Sequence, residues 1–199
     1  MIVKKYWNLV YVVNKVKYAF KASKYNQAPW LTFNAVDFLD KEIKKEFQIF
    51  EWGSGRSTFW FSERCNNIVS VEHNSEWFDI VSNKANKKQN ILLLKKEEKT
   101  EYENSIIEYP DNFFDLVVID GIRRGECAVK AITKLKRGGM LLIDDAHRYI
   151  PSNSIAPYAL ESWNSQKDKN WLSFKEQTIN WEQQWFKDGI SDTLILIKQ

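Results

Sequence analysis

Short apolar segments alternate with helix-like segments between residues 47 and 146, and this alternation constrains the fold more than any other feature of the chain. The apolar segments have the length of buried strands, and the intervening segments carry apolar residues at helical spacing. Short strands that alternate with helices are typical of a parallel sheet, because a helix carries the chain back to the start of the next strand. The sequence therefore predicts an α/β protein in which helices cover both faces of a mostly parallel sheet.

The predicted elements follow one another in a regular order. We expect strands at residues 47–52, 67–73, 91–96, 113–121 and 140–146, and helices at residues 33–44, 57–65, 75–86 and 126–135, with Gly138 and Gly139 closing the last of them. The polar stretch 95–109 is expected to be a surface loop or lid, with a short helix as the alternative. Towards the carboxyl terminus we expect a helix at residues 155–164 and a final strand at residues 192–198.

Lysines are concentrated at the amino end of the chain. Residues 1–36 contain six lysines and no acidic residue, so the formal net charge of +3 minus these six charges leaves −3 for the rest. A body without a general basic surface argues against nucleic-acid binding. No apolar run approaches the roughly 18 residues needed to span a bilayer. The two cysteines, Cys65 and Cys127, are too few for a disulfide framework. We therefore expect a cytoplasmic protein that acts on a small molecule.

The basic segment also carries aromatic residues, among them Trp7, Tyr11, Tyr18 and Phe20. Its apolar pattern is too broken by polar residues for a signal peptide. We expect residues 1–46 to form a helical segment packed on the domain of residues 47–199 or on the partner of a homodimer. The alternative is that residues 1–24 lie on an anionic membrane surface as an interfacial helix.

The residues that end each strand are the candidates for function, because ligands of open parallel sheets bind at the carboxyl ends of the strands. The first strand runs into Glu51-Trp52-Gly53-Ser54-Gly55, and alternating glycines let a backbone turn tightly against a ligand. The second strand ends in Glu72, where an acid grips ribose hydroxyls. A nicotinamide fingerprint would need a third glycine at the position of Thr58, so that cofactor is disfavoured.

On these residues the chain resembles the class I S-adenosylmethionine-dependent methyltransferases, over about residues 47–199. Glu51, Gly53 and Gly55 match the first motif of that family, with Ser57 where a third glycine is common, and the runs DLVVIDG and LKRGGMLLIDD match its fourth and fifth strands. The resemblance implies a Rossmann-like fold with seven strands, the last of them antiparallel. More narrowly, EWGSGRST, SVEHNSEW, IDGIRR and DDAHR are similar to methyltransferase-like proteins of polysaccharide and secondary-metabolite biosynthesis.

The resemblance also implies S-adenosylmethionine as the cofactor. Its amino-acid part would lie at the glycine turn and its ribose on the acid that ends the second strand, with Asn74 beside the adenine. Trp77 would either stack on the adenine or belong to the helix core. The cofactor-binding residues implied in this way are Glu51, Gly53, Ser54, Gly55, Glu72, His73 and Asp120.

Methyl transfer to a hydroxyl requires a base, because the cofactor activates the methyl group but the protein must take up the proton. The catalytic candidates at the ends of the fourth and fifth strands are Asp120, Asp144, Asp145 and His147. A histidine has a suitable pKa for this task, although His147 could also contact substrate or cap a loop. Arg123, Arg124 and Arg148 would bind an anionic acceptor such as a phosphorylated or carboxylated sugar, or else form solvated ion pairs.

The sequence thus predicts methyl transfer to an oxygen of a small, sugar-like metabolite. One alternative is a module that binds the cofactor or serves as a scaffold without catalysing transfer, since fold does not fix function. Another is a magnesium-dependent, catechol-type O-methyltransferase in which Asp120, Asp144 and Asp145 hold the ion. In that family the fifth strand ends in Asp-Asn, so Asp145 is a departure from the pattern.

Overall fold

A seven-stranded sheet forms the centre of the protein, in a computed structural model that describes residues 28–199 together with Val13 and Val16. The strands are β1 Gln48–Trp52, β2 Asn67–Glu72, β3 Ile91–Lys95, β4 Phe114–Ile119, β5 Leu135–Ile143, β6 Glu182–Lys187 and β7 Asp192–Ile197. Their order across the sheet is β3-β2-β1-β4-β5-β7-β6. Neighbouring strands among β1 to β5 pair in parallel, and β7 is antiparallel to β5 and to β6. The predicted fold class is confirmed.

Helices lie between the strands at the places where the sequence has helical spacing. They are α1 Phe33–Glu42, α2 Arg56–Ser62, α3 Ser75–Ala85, α4 Lys99–Asn104, α5 Arg124–Lys134 and α6 Lys169–Gln177, with short 3-10 helices at Ser105–Glu108, Ala146–Arg148 and Trp163–Ser165. Side-chain caps fix two of the starts: Asn74 accepts a hydrogen bond from the Trp77 amide before α3, and Asp168 accepts one from the Asn170 amide before α6.

Two apolar clusters cover the two faces of the sheet. Successive residues of β1 divide between them, because side chains alternate along a strand: Phe50 belongs to one cluster and Ile49 to the other. The Phe50 cluster includes Trp171 and Phe174 of α6, and the Ile49 cluster includes Leu39 of α1. Since both faces are covered, the strands are apolar on both sides, which explains why they appear as unbroken apolar runs in the sequence.

The passage from α5 to β5 differs from the prediction. The helix ends at Lys134 and the strand begins at once with Leu135, so Gly138 and Gly139 lie within β5 and do not close the helix. The pairing of β5 with β4 shifts register between Phe114 and Leu116, which marks an irregularity in the ladder. Gly138 there has a φ of 75°. The glycine pair therefore allows the irregular backbone near the start of β5.

The stretch 95–109 is not a lid. It contains α4 and the following 3-10 helix, and the side chains of Tyr102 and Ile106 are fully buried in the cluster around Phe50. The short helix that the sequence left as the alternative is therefore the correct interpretation. A Cβ atom added to Gly121, just after β4, would lie 1.8 Å from the Tyr102 hydroxyl oxygen. The tyrosine thus packs directly under the chain that leaves β4.

The predicted helix at residues 155–164 is wrong, because only Trp163–Ser165 is helical in that stretch and it is a 3-10 turn. Tyr158 has a φ of 66°, which a right-handed helix does not allow. Two backbone groups of this stretch bond to His147 instead. The amide of Leu160 donates to the His147 carbonyl, and the Pro157 carbonyl contacts the His147 ring.

Apart from Val13 and Val16, residues 1–27 of the basic amino-terminal segment lie outside the described residues. Its predicted packing, its alternative membrane-surface contact and the division at residue 46 therefore stay predictions. Within the described part of the chain, no helix combines the length and the apolar character needed to cross a membrane. Residues 28–46 include α1, whose Val36 and Leu39 pack against the sheet.

Candidate active site

The turn after β1 passes between the ends of β2 and β4. Gly53 has a φ of 99°, and a Cβ atom there would lie 2.8 Å from the Asp120 carbonyl oxygen. Its amide donates to the Val71 carbonyl at 2.9 Å. Only glycine fits this position, because a side chain would meet both backbone strain and a fixed carbonyl. The alternating glycines of the sequence thus place the turn at the carboxyl edge of the sheet.

Glu51 lies beneath this turn and is completely buried. Its Oε2 accepts hydrogen bonds from Thr58 Oγ1 at 2.5 Å and from Ser70 Oγ at 2.6 Å, and Thr58 Oγ1 in turn accepts the Gly55 amide at 2.9 Å. Burial raises the pKa of Glu51 to about 7. The residue joins β1, β2 and α2 under the turn, whereas the sequence placed it in direct contact with the cofactor.

Glu72 closes the turn from the end of β2. Its Oε2 accepts the amide and the hydroxyl of Ser54 at 3.1 and 3.0 Å, and its Oε1 accepts the amides of His73 and Asn74 at 2.9 and 2.8 Å. Only 5% of the side chain is exposed. A carboxylate has about four lone-pair sites, so the four donors occupy all of them. The Ser54 hydroxyl is the one side-chain donor in this set.

Trp77, on α3, braces the same turn from the outside. Its indole Nε1 donates to the Ser54 carbonyl at 2.8 Å, and a Cβ atom at Gly55 would lie 3.9 Å from its ring. The residue is 42% exposed, so it is not part of the helix core. Trp77 therefore fixes the turn with its ring nitrogen while its ring lines the pocket described next.

A pocket of about 630 Å³ opens over the turn. It is lined by Trp30, Gly53, Ser54, Gly55, Arg56, Ser57, Glu72, His73, Asn74, Glu76, Trp77, Ile80, Asp120 and Gly121. Its volume lies in the range of small-molecule and cofactor sites. All the predicted cofactor contacts except Glu51 therefore meet around one cavity at the ends of β1, β2 and β4.

Asp120 is the one predicted catalytic residue that lines this pocket. Its Oδ1 accepts a hydrogen bond from Arg124 Nη2 at 3.1 Å. Burial raises its pKa to about 6; the nearby Arg124 opposes this rise and Asp145 adds to it. A carboxylate with such a pKa is a usable base near neutral pH.

Asp144 and Asp145, at the end of β5, are held by other parts of the fold. Asp144 is buried, and burial together with neighbouring Asp120 raises its pKa well above its usual value. Thr193 Oγ1 donates to it at 3.3 Å. Asp145 accepts Ser191 Oγ at 2.7 Å. Neither residue is among those that line the pocket.

The three predicted substrate arginines all have acidic partners. Arg123 pairs with Glu103 at 2.9 Å and with Glu126 at 2.8 Å. Arg124 bonds to Asp120 and to the carbonyls of Gly121 and Asp144. Arg148 pairs with Asp145 at 3.2 Å. This is the ion-pair alternative that the sequence left open, although Arg124 is largely buried.

His147 is buried within the fold and does not line the pocket. Its Nδ1 accepts the Asp192 amide at 3.2 Å, and its Nε2 lies 3.1 Å from the Pro157 carbonyl. A neutral ring that carries its proton on Nε2 satisfies both contacts. Burial lowers its pKa, which also favours the neutral form. This geometry supports the loop-capping interpretation of His147 over the base.

Sequence reasoning did not assign Trp30 or Arg56 to the site, although both line the pocket. Trp30 is 70% exposed although it is a large aromatic residue. The Arg56 guanidinium carbon lies 5.8 Å from the centre of its ring. The position of Arg56 directly after Gly55 was the available signal. Nothing in the sequence places Trp30 beside it.

The comparisons with known proteins concern the fold. No protein-family model and no curated protein matches the sequence. Among solved structures, an S-adenosylmethionine-dependent methyltransferase from Aquifex aeolicus is similar with a TM-score of 0.57 and 13% identity, over 95% of this chain and 98% of that chain. SMU.1697c from Streptococcus mutans, solved in complex with S-adenosylhomocysteine, is similar with a TM-score of 0.57 and 11% identity, over 82% and 94%.

A precorrin-6y C5,15-methyltransferase from Geobacter metallireducens is similar in the same way, with a TM-score of 0.55 and 14% identity over 82% of this chain and 87% of that chain. The fold is therefore that of the class I S-adenosylmethionine-dependent methyltransferases, as the resemblance implied. The narrower similarity to proteins of polysaccharide biosynthesis stays a prediction.

Proposed function

We propose that the protein transfers a methyl group from S-adenosylmethionine to an oxygen of a small polar acceptor. The observation that carries this proposal is the position of Asp120: a carboxylate with a pKa of about 6 lines the same pocket as the glycine turn and Glu72. A hydroxyl acceptor must lose a proton when it is methylated, and Asp120 is placed to receive one.

The pocket residues fit this cofactor. Gly53 keeps the turn free of side chains where it faces Asp120, and no atom lies closer than 3.9 Å to a Cβ atom built on Gly55. The neighbour from Streptococcus mutans, solved with S-adenosylhomocysteine, supports the choice. When bound, S-adenosylmethionine supplies a methyl group that its positive sulfur already activates. The turn would hold the amino-acid part.

Glu72 would hold the ribose. Its four lone-pair sites are filled, so a ribose hydroxyl would bind in exchange for the Ser54 hydroxyl, the donor that can rotate away. The remaining donors are backbone amides of Ser54, His73 and Asn74, and they keep the carboxylate oriented. Trp77 lines the pocket and is partly exposed, so its ring is available to stack on the adenine.

The neighbours of Asp120, which are Arg124, Asp144 and Asp145, explain how Asp120 could act as a base. Arg124 fixes the Asp120 carboxylate through a hydrogen bond to Oδ1, and its charge favours the ionised form of Asp120. Burial and the neighbouring Asp120 raise the pKa of Asp144 well above its usual value, so both disfavour a second negative charge beside Asp120. Asp120 is the carboxylate of this group that lines the pocket.

One feature of the pocket lining supports a sugar-like acceptor. Most of the accessible surface of the lining is apolar, and Trp30 offers an exposed aromatic face on which a sugar ring could stack. Within the described residues, no three His, Cys, Asp or Glu side chains are grouped so as to hold a metal ion. No observation therefore favours the magnesium-dependent alternative.

Transfer of labelled methyl groups tests the proposal. The protein is incubated with methyl-labelled S-adenosylmethionine and a fractionated metabolite extract, and the products are tested for release of the label by O-demethylation. We expect labelling by the wild type, retained in Asp111→Asn, whose carboxylate pairs with Lys134 outside the pocket. Binding of the cofactor without transfer to any fraction would identify the non-catalytic module instead.

A further inference from the structure

Arg56 is the one lysine or arginine among the described residues that line the pocket. The carboxylates that line it are those of Glu72, Glu76 and Asp120. Acidic groups attract the ammonium and sulfonium charges of S-adenosylmethionine, but they repel its carboxylate. A bound cofactor therefore needs a donor for that carboxylate, and on this lining the only fixed positive charge is that of Arg56.

The turn itself offers little to an anion. The amides of three successive residues are already used within the protein: Gly53 donates to the Val71 carbonyl, Ser54 to Glu72 and Gly55 to Thr58. Free amides at such a turn commonly bind an anionic group. Because these three amides are occupied, the turn from Gly53 to Gly55 offers the carboxylate no backbone donor, and a side chain is needed to balance its charge.

Arg56 differs from the arginines that the sequence predicted for substrate binding. Arg123, Arg124 and Arg148 all pair with carboxylates. Within residues 28–199, Arg56 forms no ion pair, and its described contact is with the ring of Trp30. An aromatic face can orient a guanidinium without neutralising its charge. The charge is therefore available to a ligand.

We infer that Arg56, oriented by Trp30, binds the α-carboxylate of the amino-acid part of S-adenosylmethionine. This inference rests on the proposed function. The guanidinium donates two parallel hydrogen bonds to a carboxylate, a geometry that a lysine cannot reproduce. Arg56 is thus a cofactor-binding residue that supplies the anion contact missing from the turn.

Two ligands separate this role from a general effect on the pocket. S-adenosylhomocysteine carries the amino-acid part, and 5′-methylthioadenosine has the same nucleoside without it. We expect Arg56→Gln to weaken calorimetric binding of S-adenosylhomocysteine by about tenfold or more, as for loss of a hydrogen bond to a charged group. Binding of 5′-methylthioadenosine should change by less than about twofold, because no carboxylate is present.

Two further variants serve as controls. Arg64→Gln removes an arginine that pairs with Asp40, and it should leave binding of both ligands unchanged. Arg56→Lys should recover part of the affinity for S-adenosylhomocysteine, because it keeps the charge without the planar fork. A loss in Arg56→Gln that is equal for both ligands, or no loss at all, would overturn the inference. A wild-type protein that binds neither ligand would instead overturn the proposed function.

Discussion

The two halves of the carboxyl edge of the sheet use their polar residues differently. At the β1–β2 half, hydrogen bonds fill both oxygens of Glu72 and one oxygen of Glu51, and both residues hold the turn, while Trp30, Arg56 and Trp77 remain open to the pocket. At the β4–β5 half, only Asp120 and Gly121 line the pocket, and Asp144, Asp145 and His147 are held by internal partners. A position at the end of a strand is therefore not enough to make a side chain available to a ligand. Its availability depends on how many of its polar atoms already bond within the fold.

The largest effect that would test this contrast concerns two aspartates of the β4–β5 half. Asp120→Asn should lower the rate of methyl transfer by about 10²- to 10⁴-fold, the range for loss of a general base. In the wild type the rate should rise with pH through about 6 and then level off, because only the ionised Asp120 accepts a proton. The measurement is the pH profile of labelled methyl transfer.

The matched variant is Asp145→Asn. Asp145 bonds to Ser191 and Arg148 and does not line the pocket, so the rate should fall far less than in Asp120→Asn. Equal losses of the methyl-transfer rate in the two variants would show that Asp120 has no special role among these carboxylates.

The next effect concerns Glu72 in the β1–β2 half. Glu72→Gln should weaken calorimetric binding of S-adenosylhomocysteine by about 100-fold, because charge-assisted hydrogen bonds to the ribose are lost. The amide would also set an N–H group against donors that now point at Oε1 and Oε2. Unchanged affinity would remove Glu72 from the ribose site.

The next prediction compares the free energies of unfolding of alanine variants at Gly53 and Gly138. It separates the effect of steric crowding at the turn from that of backbone strain alone. Gly53 and Gly138 both have positive φ, but a Cβ atom on Gly53 meets the Asp120 carbonyl at 2.8 Å, whereas one on Gly138 meets no atom within 4 Å. We expect Gly138→Ala to cost about 1–2 kcal/mol and Gly53→Ala about 3 kcal/mol or more. Urea denaturation of the two variants measures the difference. Equal costs would mean that the close approach to β4 is relieved by movement of the chain.

The smallest effect is the contribution of His147 to the pH dependence of stability. Burial lowers its pKa in the folded protein, so the unfolded chain binds the proton more readily. This contribution is fully present above about pH 6.5 and is lost as the pH falls below that value. Urea midpoints at pH 7.5 and 5.5 should therefore differ less in His147→Gln than in the wild type. An unchanged difference would show that the ring does not act as a buried neutral cap.

The fold and the glycine turn could be predicted from the sequence because local pattern encodes them. Apolar runs locate β1 to β5, and the spacing of Gly53, Gly55 and Glu72 locates the pocket. The state of each site residue could not be predicted, because its partners come from distant positions. Ser191 holds Asp145 and the Asp192 amide holds His147, each across more than forty residues of chain.

The wrong predictions for residues 95–109 and 155–164 have the same cause, which is that tertiary contacts override the local pattern. Residues 95–109 are polar enough to look like a lid, but the fully buried side chains of Tyr102 and Ile106 attach the stretch to the core. The helical pattern at residues 155–164 is overridden by contacts of the backbone with His147. Local propensity is decisive only where no tertiary contact competes with it.

The packing of Tyr102 under Gly121 couples the substitutions that these two positions can accept. A Cβ atom at position 121 would meet the tyrosine hydroxyl at 1.8 Å and its ring carbon at 3.0 Å, and the ring is fully buried and cannot move aside. During divergence, an alanine at position 121 is therefore tolerated only after the side chain at position 102 has become smaller. In homologous sequences we expect these two sites to covary, with glycine opposite tyrosine and larger residues opposite a shorter side chain.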